Sequence, residues 1–306
     1  MEQQKKLYRA WMFVPGDRQR MIDKALALNV DAIMMDIEDG VTPMEKENAR
    51  RQIGYSLDQV AERLKADPKY RTPARFVRTN AVGTTRMIED FKAVVRHGLE
   101  GLVIPKVDTV EQVRIVEDEL GRDEVAQHMP GGSVKLLIAI ESPAGLFNAH
   151  ALATSSPRIV GLMFGAEDFT REMNLPVRRE AEAVDLIYAR SHIATAAAAA
   201  HIQAVDGVWV DLNDPDGLKR FARQARLLGM SAISIIHPSQ IDIANAAFTP
   251  AKEDISYARE VLKAFDEAHA RGAGAIAFRG QLLDYPIVDR ARQTMELAKS
   301  LGVDTE

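Results

Sequence analysis

The chain has 306 residues, 46% of them hydrophobic, with 39 basic and 44 acidic side chains and a net charge of −5. That is enough apolar material for one large domain or two small ones, and well-mixed charge without a basic tract argues against nucleic acid as a partner. There is no cysteine, which excludes disulfides, thiolate metal sites and cysteine nucleophiles and agrees with a reducing cytoplasm.

The polar start MEQQKKLYRA lacks the apolar core of a signal peptide. No apolar run approaches the roughly 20 residues needed to span a bilayer. The expectation is a cytoplasmic protein with no membrane partner. From there, strand-like apolar runs recur, separated by helical patterns. They are AWMFVPG (10–16), DAIMMDIED (31–39), ARFVRTN (74–80) and GLVIPKV (101–107), then VKLLIAIES (134–142), IVGLMFGAED (159–168), AVDGVWVD (204–211) and AISIIHP (232–238). Amphipathic helices lie between them: RQRMIDKALAL, DTVEQVRIVEDEL and DPDGLKRFARQARLLG, the last with Gly229 at a C-cap position.

Near-continuous apolar strands alternating with helices imply a parallel sheet covered on both faces. Eight such units in about 240 residues predict a (β/α)8 TIM barrel. A doubly wound open sheet is the competing arrangement, but no glycine-rich dinucleotide fingerprint follows the first strand; VPGD reads as a plain turn. The division expected is a barrel over residues 1–248 and a C-terminal helical extension over 249–306. In the extension PAKEDISYAREVLKAFDEAHA reads as a helix, RGAGAIAFRGQLLDYP as a glycine-rich loop and PIVDRARQTMELAKSLG as a final helix. Such a tail exceeds what a barrel needs and suits a lid or an oligomerisation arm.

In these barrels the reacting groups sit at the C-terminal ends of the strands, and polar residues gather there. Asp36, Glu38 and Asp39 end the second strand, Arg78 and Asn80 the third, Lys106 the fourth, Glu141 the fifth, Glu167 and Asp168 the sixth and His237 the eighth. Glu141 and Asp168, on neighbouring strands about 5 Å apart, are candidate all-oxygen ligands for Mg2+ or Mn2+. The alternative is a salt bridge from Glu141 to Lys106 or Arg78. The fork of Arg78 suits a substrate carboxylate or phosphate, unless it pairs with Asp36 or Glu38. The DIEDG cluster could hold a metal alone, cap a helix, or orient Arg78 and metal-bound waters from behind the site. A lone His237 before Pro238 is as readily a cap. His192 and His201 read as helix surface or packing, and Trp11, Trp209 and the methionines as core.

Taken together, the stretches FVPGDRQRM, MDIEDGVTPMEKENAR, FVRTN, LVIPKV, IAIESPAGLFNAHALA, FGAEDFT, AVDGVWVDLNDPDGL, IIHPSQIDIANAAFTP and GQLLDYPIVDRARQ resemble the citrate lyase beta-subunit-like CoA-ester lyases of the HpcH/HpaI superfamily, which include malyl-CoA and citramalyl-CoA lyases. The resemblance runs in order along nearly the whole chain. It implies a trimer-forming barrel, with a homotrimer or a hexamer both left open, that binds Mg2+ and cleaves or forms 3-hydroxyacyl-CoA bonds, with a 2-oxo acid such as pyruvate or glyoxylate as product. It implies Glu141 and Asp168 as metal carboxylates, Arg78 as the substrate-carboxylate arginine, and Phe13, Arg20 and Lys24 as CoA contacts. Ile236 and His237 would be a substrate-contacting pair, and Asp284 a catalytic aspartate delivered to a neighbouring subunit. Asp36, Glu38, Asp39 and Lys106 would support these from behind.

Two positions depart from the family pattern. Ala232 and Ile233 stand where a Gly-Lys pair is common, which removes a charge expected near the mouth, and Phe13 stands where tyrosine is common. The tail argues against a citrate lyase beta subunit that works only inside a multi-enzyme complex. Two further alternatives are a metal-dependent aldolase acting on free 2-oxo acids and a non-catalytic acyl-CoA-binding paralogue. The DIEDGV form leans toward citramalyl-CoA.

Overall fold

In the computed structural model, which describes residues 7–176, 183–270 and 276–305, the chain forms two compact units, one of Tyr8–Ala244 and one beginning at Asn245. The MEQQKK segment and residues 271–275, named above, lie outside the described residues. Eight parallel strands close on themselves in chain order: β1 (Ala10–Pro15), β2 (Ala32–Asp36), β3 (Ala74–Arg78), β4 (Gly101–Ile104), β5 (Lys135–Ile140), β6 (Ile159–Phe164), β7 (Gln203–Asp206) and β8 (Ala232–Ile235). The open-sheet alternative is thereby excluded. The helices of this unit are α1 (Gln19–Leu26), α2 (Lys46–Ala66), α3 (Thr85–Val94), α4 (Val110–Ala126), α5 (Pro143–Phe147), α6 (Ala149–Ala153), α7 (Ala166–Glu172), α8 (Ile187–Ala199) and α9 (Pro215–Leu227). Then α10 (Ile241–Phe248) leads on to the second unit.

Local chemistry explains where these helices begin. Thr84 caps α3 by accepting from the Met87 amide. Thr109 and Gln112 form a reciprocal capping box on α4, and Asp214 followed by Pro215 starts α9. Every strand contributes to one buried cluster that includes Trp11, Met34, Phe76, Val103, Leu137, Met163, Val205 and Ala232, so this cluster fills the barrel. Trp11 meets the Phe76 ring edge-on at 4.8 Å. Side chains alternate along a strand, so the residues two positions further along point the same way. Those residues are Phe13 after Trp11, Asp36 after Met34, Arg78 after Phe76 and Glu141 after Ala139. Polar groups therefore sit directly above the barrel core.

The strands end sooner than the apolar runs suggested. Glu38 and Asp39 lie in the turn after β2, Lys106 two residues beyond β4 in a left-handed conformation (φ 55°), and Glu167 and Asp168 in the first turn of α7. The runs looked longer because Ile37, Val107 and Ala166 continue to be buried past the strand ends. Ala232 and Ile233 occupy the start of β8, both buried, with the Ile233 amide bonded to the Arg9 carbonyl. The pair thus lies at the opposite end of the strand from the mouth, and no charge is lost there.

The second unit contains α11 (Lys252–Ala270) and α12 (Tyr285–Ser300), which share an apolar cluster of Ala258, Val261, Leu283, Val288 and Ala291. The stretch expected as a glycine-rich loop holds an antiparallel hairpin, β9 (Ile276–Phe278) and β10 (Gln281–Leu283). Its two-residue turn, Arg279 (φ 49°) and Gly280 (φ 79°), has the paired positive φ values that suit a tight hairpin. Asp284 caps α12.

Candidate active site

The strand register builds the site. Pro15, Asp36 and Arg78 are partners across β1, β2 and β3, and Ile140 pairs with Phe164 across β5 and β6. A cleft of about 350 Å3 opens at these strand ends, lined by Phe13, Asp36, Arg78, Glu141, Asp168 and Ile236 among others.

Arg78 donates through Nε and Nη2 to the two carboxylate oxygens of Asp36, both at 2.7 Å, and its Nη1 lies 3.1 Å from Glu38 Oε2, an ion-pair contact without hydrogen-bond geometry. The Phe13 ring stacks 4.9 Å from its guanidinium carbon. Burial works against the Arg78 charge, but Asp36, Glu38 and Glu141 more than offset it and raise its pKa. A guanidinium has five N–H groups; among the described residues, the two hydrogen bonds to Asp36 leave three for a ligand. Asp36 also accepts from the backbone amides of Glu38 and Gly40, each at 2.9 Å. Lys106 holds Glu38 at 2.6 Å and Asp39 at 3.0 Å. Burial likewise opposes its charge, and the two carboxylates outweigh it.

Glu141 is 5% exposed, and its Oε2 has no hydrogen-bond partner among the described residues. It forms no ion pair there with Lys106 or Arg78. Burial first, then the charges of Glu38 and Asp168, push its carboxyl up to about 8, against the pull of Arg78 and Lys106. An unsatisfied buried carboxylate beside other carboxylates calls for a cation. Among the described residues Asp168 pairs only with the exposed Arg171 at 2.5 Å, a contact of small worth that a stronger partner displaces. Two carboxylates and no nitrogen or sulfur donor suit a hard divalent ion such as Mg2+, which keeps most of its shell for water and substrate. The residues present therefore fit this metal.

The cleft thus gathers Phe13, Arg78, Glu141, Asp168 and Ile236, with Asp36, Glu38, Asp39 and Lys106 bracing Arg78 and one another. Arg20 and Lys24 are exposed one turn apart on α1 and are not among the residues lining the cleft. Nor is His237, whose ring accepts from the Ser239 amide at 3.2 Å and caps the turn Pro238–Gln240. Asp284 belongs to the second unit. Sequence reasoning passed over Gly165, Ser234 and Val208, which line the cleft, and Lys46. The glycine before the AED motif was the available signal for the first.

An eight-stranded parallel barrel with a forked arginine and an unsatisfied carboxylate at its C-terminal rim defines an enzyme of the TIM-barrel class. The HpcH/HpaI aldolase/citrate lyase profile matches residues 9–238, and the chain belongs to that family. It is 36% identical over 298 residues to citrate lyase subunit beta of Escherichia coli (strain K12), covering 97% of this chain and 95% of that protein. It is 31% identical over 307 residues to mitochondrial citramalyl-CoA lyase of Homo sapiens, covering 96% of this chain and 86% of that protein. A crystal structure of CitE from Mycobacterium tuberculosis with magnesium, acetoacetate and coenzyme A superposes with a TM-score of 0.76 at 28% identity, covering 96% of this chain and 99% of the other. The protein is a lyase.

These comparisons correct one expectation. The C-terminal segment does not separate this chain from citrate lyase beta subunits, because the Escherichia coli protein aligns over nearly the whole length. No helix among the described residues is long and apolar enough to cross a membrane.

Proposed function

We propose that this protein is a Mg2+-dependent carbon–carbon lyase that cleaves, or in reverse forms, a 3-hydroxy dicarboxylic acyl-CoA such as citramalyl-CoA or malyl-CoA, giving pyruvate or glyoxylate and a shorter acyl-CoA. The observation that carries this reading is the orphaned Glu141 carboxylate at the rim, coupled to Asp168 and facing the same cleft as Arg78. The names of the relatives and the magnesium and coenzyme A in the CitE structure support the substrate class.

Glu141 and Asp168 would hold the metal, which when bound polarises the hydroxyl and carboxylate oxygens of the substrate. The N–H groups of Arg78 not bonded to Asp36 take the carboxylate that becomes part of the 2-oxo acid. Phe13 covers the guanidinium and keeps water from it. When the bond between the hydroxyl-bearing carbon and the thioester α-carbon breaks, the hydroxyl proton passes to solvent water and its oxygen becomes the ketone of the 2-oxo acid. The bonding pair remains on the α-carbon as a thioester enolate. A proton delivered to that carbon completes the acyl-CoA, and Asp284 of a neighbouring subunit in a trimer or hexamer is the acid we assign. Arg20 and Lys24, unpaired among the described residues on α1, are the proposed contacts for CoA phosphates.

A second reading, the beta subunit of a citrate lyase, is favoured by the 36% identity and near-complete alignment with the Escherichia coli protein. The test is a panel of acyl-CoA thioesters with Mg2+, read by release of pyruvate, glyoxylate or oxaloacetate. Pyruvate or glyoxylate release supports the proposal. Oxaloacetate alone, from a citryl thioester, supports the second reading, and no release from any thioester refutes both.

A further inference from the structure

The turn that follows β2 carries Glu38 and Asp39 between the buried side chains of Ile37 and Val41. It separates the cleft of about 350 Å3 from a second cavity of about 510 Å3, and Gly40 lines both. Polar contacts fix its backbone from two sides. From one side Asp36 accepts the amides of Glu38 and Gly40. From the other, the Lys46 ammonium donates to the carbonyl oxygens of Ile37 at 2.6 Å and Glu38 at 2.8 Å. The Ile37 amide in turn donates to the Arg78 carbonyl at 2.9 Å. One residue, Ile37, thus ties Lys46 to the backbone of Arg78, and the next, Glu38, ties it to the Arg78 side chain.

Lys46 is badly placed for stability alone. It is buried at 7% exposure and has no carboxylate within ion-pair distance among the described residues. It is also the first residue of α2, where the helix dipole disfavours a cation. Burial lowers its pKa. A residue that breaks two local rules beside a cleft points to a functional demand. We infer that Lys46 is a positioning residue: by pinning the carbonyls of Ile37 and Glu38 it holds the carboxylates of the turn where they aim the free N–H groups of Arg78 at the substrate carboxylate. This rests on the proposed role of Arg78.

The test is calorimetric titration of pyruvate with Mg2+ into wild type, Lys46→Met, Arg78→Met and the double variant, with CoA titrated in parallel. Lys46→Met is expected to weaken pyruvate binding about tenfold, to leave CoA binding within about twofold, and to add nothing in the Arg78→Met background. Lys46→Arg should recover part of the loss. Pyruvate binding unchanged in Lys46→Met, or a loss that persists in full beside Arg78→Met, or an equal loss of CoA affinity, overturns the inference while the role of Arg78 stands. Wild-type pyruvate affinity in Arg78→Met itself refutes both. If Lys46→Met does not fold, Lys46→Gln takes its place; failure of both to fold assigns the lysine to the fold alone and overturns the inference.

Discussion

Glu141 lies so close over Gly165 that a Cβ on the glycine would stand 2.3 Å from Glu141 Cγ and 2.7 Å from its Oε1. The two residues follow a register pair, Ile140 and Phe164, and the Gly165 amide donates to the Ile140 carbonyl at 2.9 Å. The glycine is the floor on which the carboxylate rests. Its φ of −91° suits any residue, so the demand is for space. Gly165→Ala should fold, displace the carboxylate and raise the half-saturating Mg2+ concentration about 10–100-fold. A Mg2+ titration identical to wild type would show that Glu141 does not need its present position.

Glu141→Gln and Asp168→Asn should each raise the Mg2+ requirement sharply. Glu141→Gln should cost the metal-free protein little stability, because a neutral amide replaces a carboxyl whose charge burial already disfavours. Thermal melts with and without Mg2+ separate the two effects: wild type should gain stability from the ion and Glu141→Gln should gain far less. An equal gain in both would return Glu141 to a structural role.

Arg78→Lys keeps one charge but loses the fork that grips both oxygens of Asp36. The variant should raise KM for the acyl-CoA by about 100-fold, with a smaller change in kcat. Steady-state kinetics on the best thioester of the panel provides the check, and a KM within twofold of wild type would exclude Arg78 from carboxylate binding.

Asp284 has a structural task as well, since it caps α12 by accepting from the Ile287 amide at 3.3 Å. Asparagine caps as well as aspartate, whereas alanine costs about 1 kcal/mol. Both Asp284→Asn and Asp284→Ala should lower kcat at least about 100-fold, and only the alanine variant should also lower the melting temperature. Mixing inactive Asp284→Asn with inactive Glu141→Gln should restore activity if the aspartate works across a subunit boundary. Mixed oligomers that remain inactive would rule that delivery out.

The acid limit of the fold should trace in part to Glu124. Burial alone would raise its pKa, but the Arg158 guanidinium, with Nη–Oε contacts of 2.7 Å, and the amides of Val134 and Gly132 hold it down at about 2. A folded pKa below the unfolded value of about 4.3 means the unfolded chain binds the proton more readily. Stability from this group is therefore fully present above that value and is lost as pH falls toward 2, by up to about 3 kcal/mol. Denaturant melts between pH 6 and pH 3 should show a shallower decline for Glu124→Gln, which starts from a less stable protein. Parallel declines would clear Glu124 of this role.

Much of this was legible in the chain itself. Alternation of β runs and helices named the barrel, and period-two spacing set Asp36, Arg78 and Glu141 on the face of Met34, Phe76 and Ala139. What was not legible has a common cause. Lys46 reads as an ordinary solvent-facing residue in TPMEKENAR, because its carbonyl partners lie eight and nine residues earlier across a turn. Asp168 reads as a strand end, because burial continues past the last ladder bond. The Arg279-Gly280 hairpin was hidden by glycines that serve loops and tight turns alike.

From its own residues the chain determined which side chains are acidic, basic or apolar, the order of the eight barrel strands, and which polar groups gather past their C-terminal ends. Only closure of the barrel decided that residue 36 grips residue 78 and that residue 141 lies over residue 165 with an oxygen left unsatisfied. Those meetings depend on which strands become neighbours and in what register, and tens of residues, mostly in helices and strands, separate them, so no local pattern encodes them.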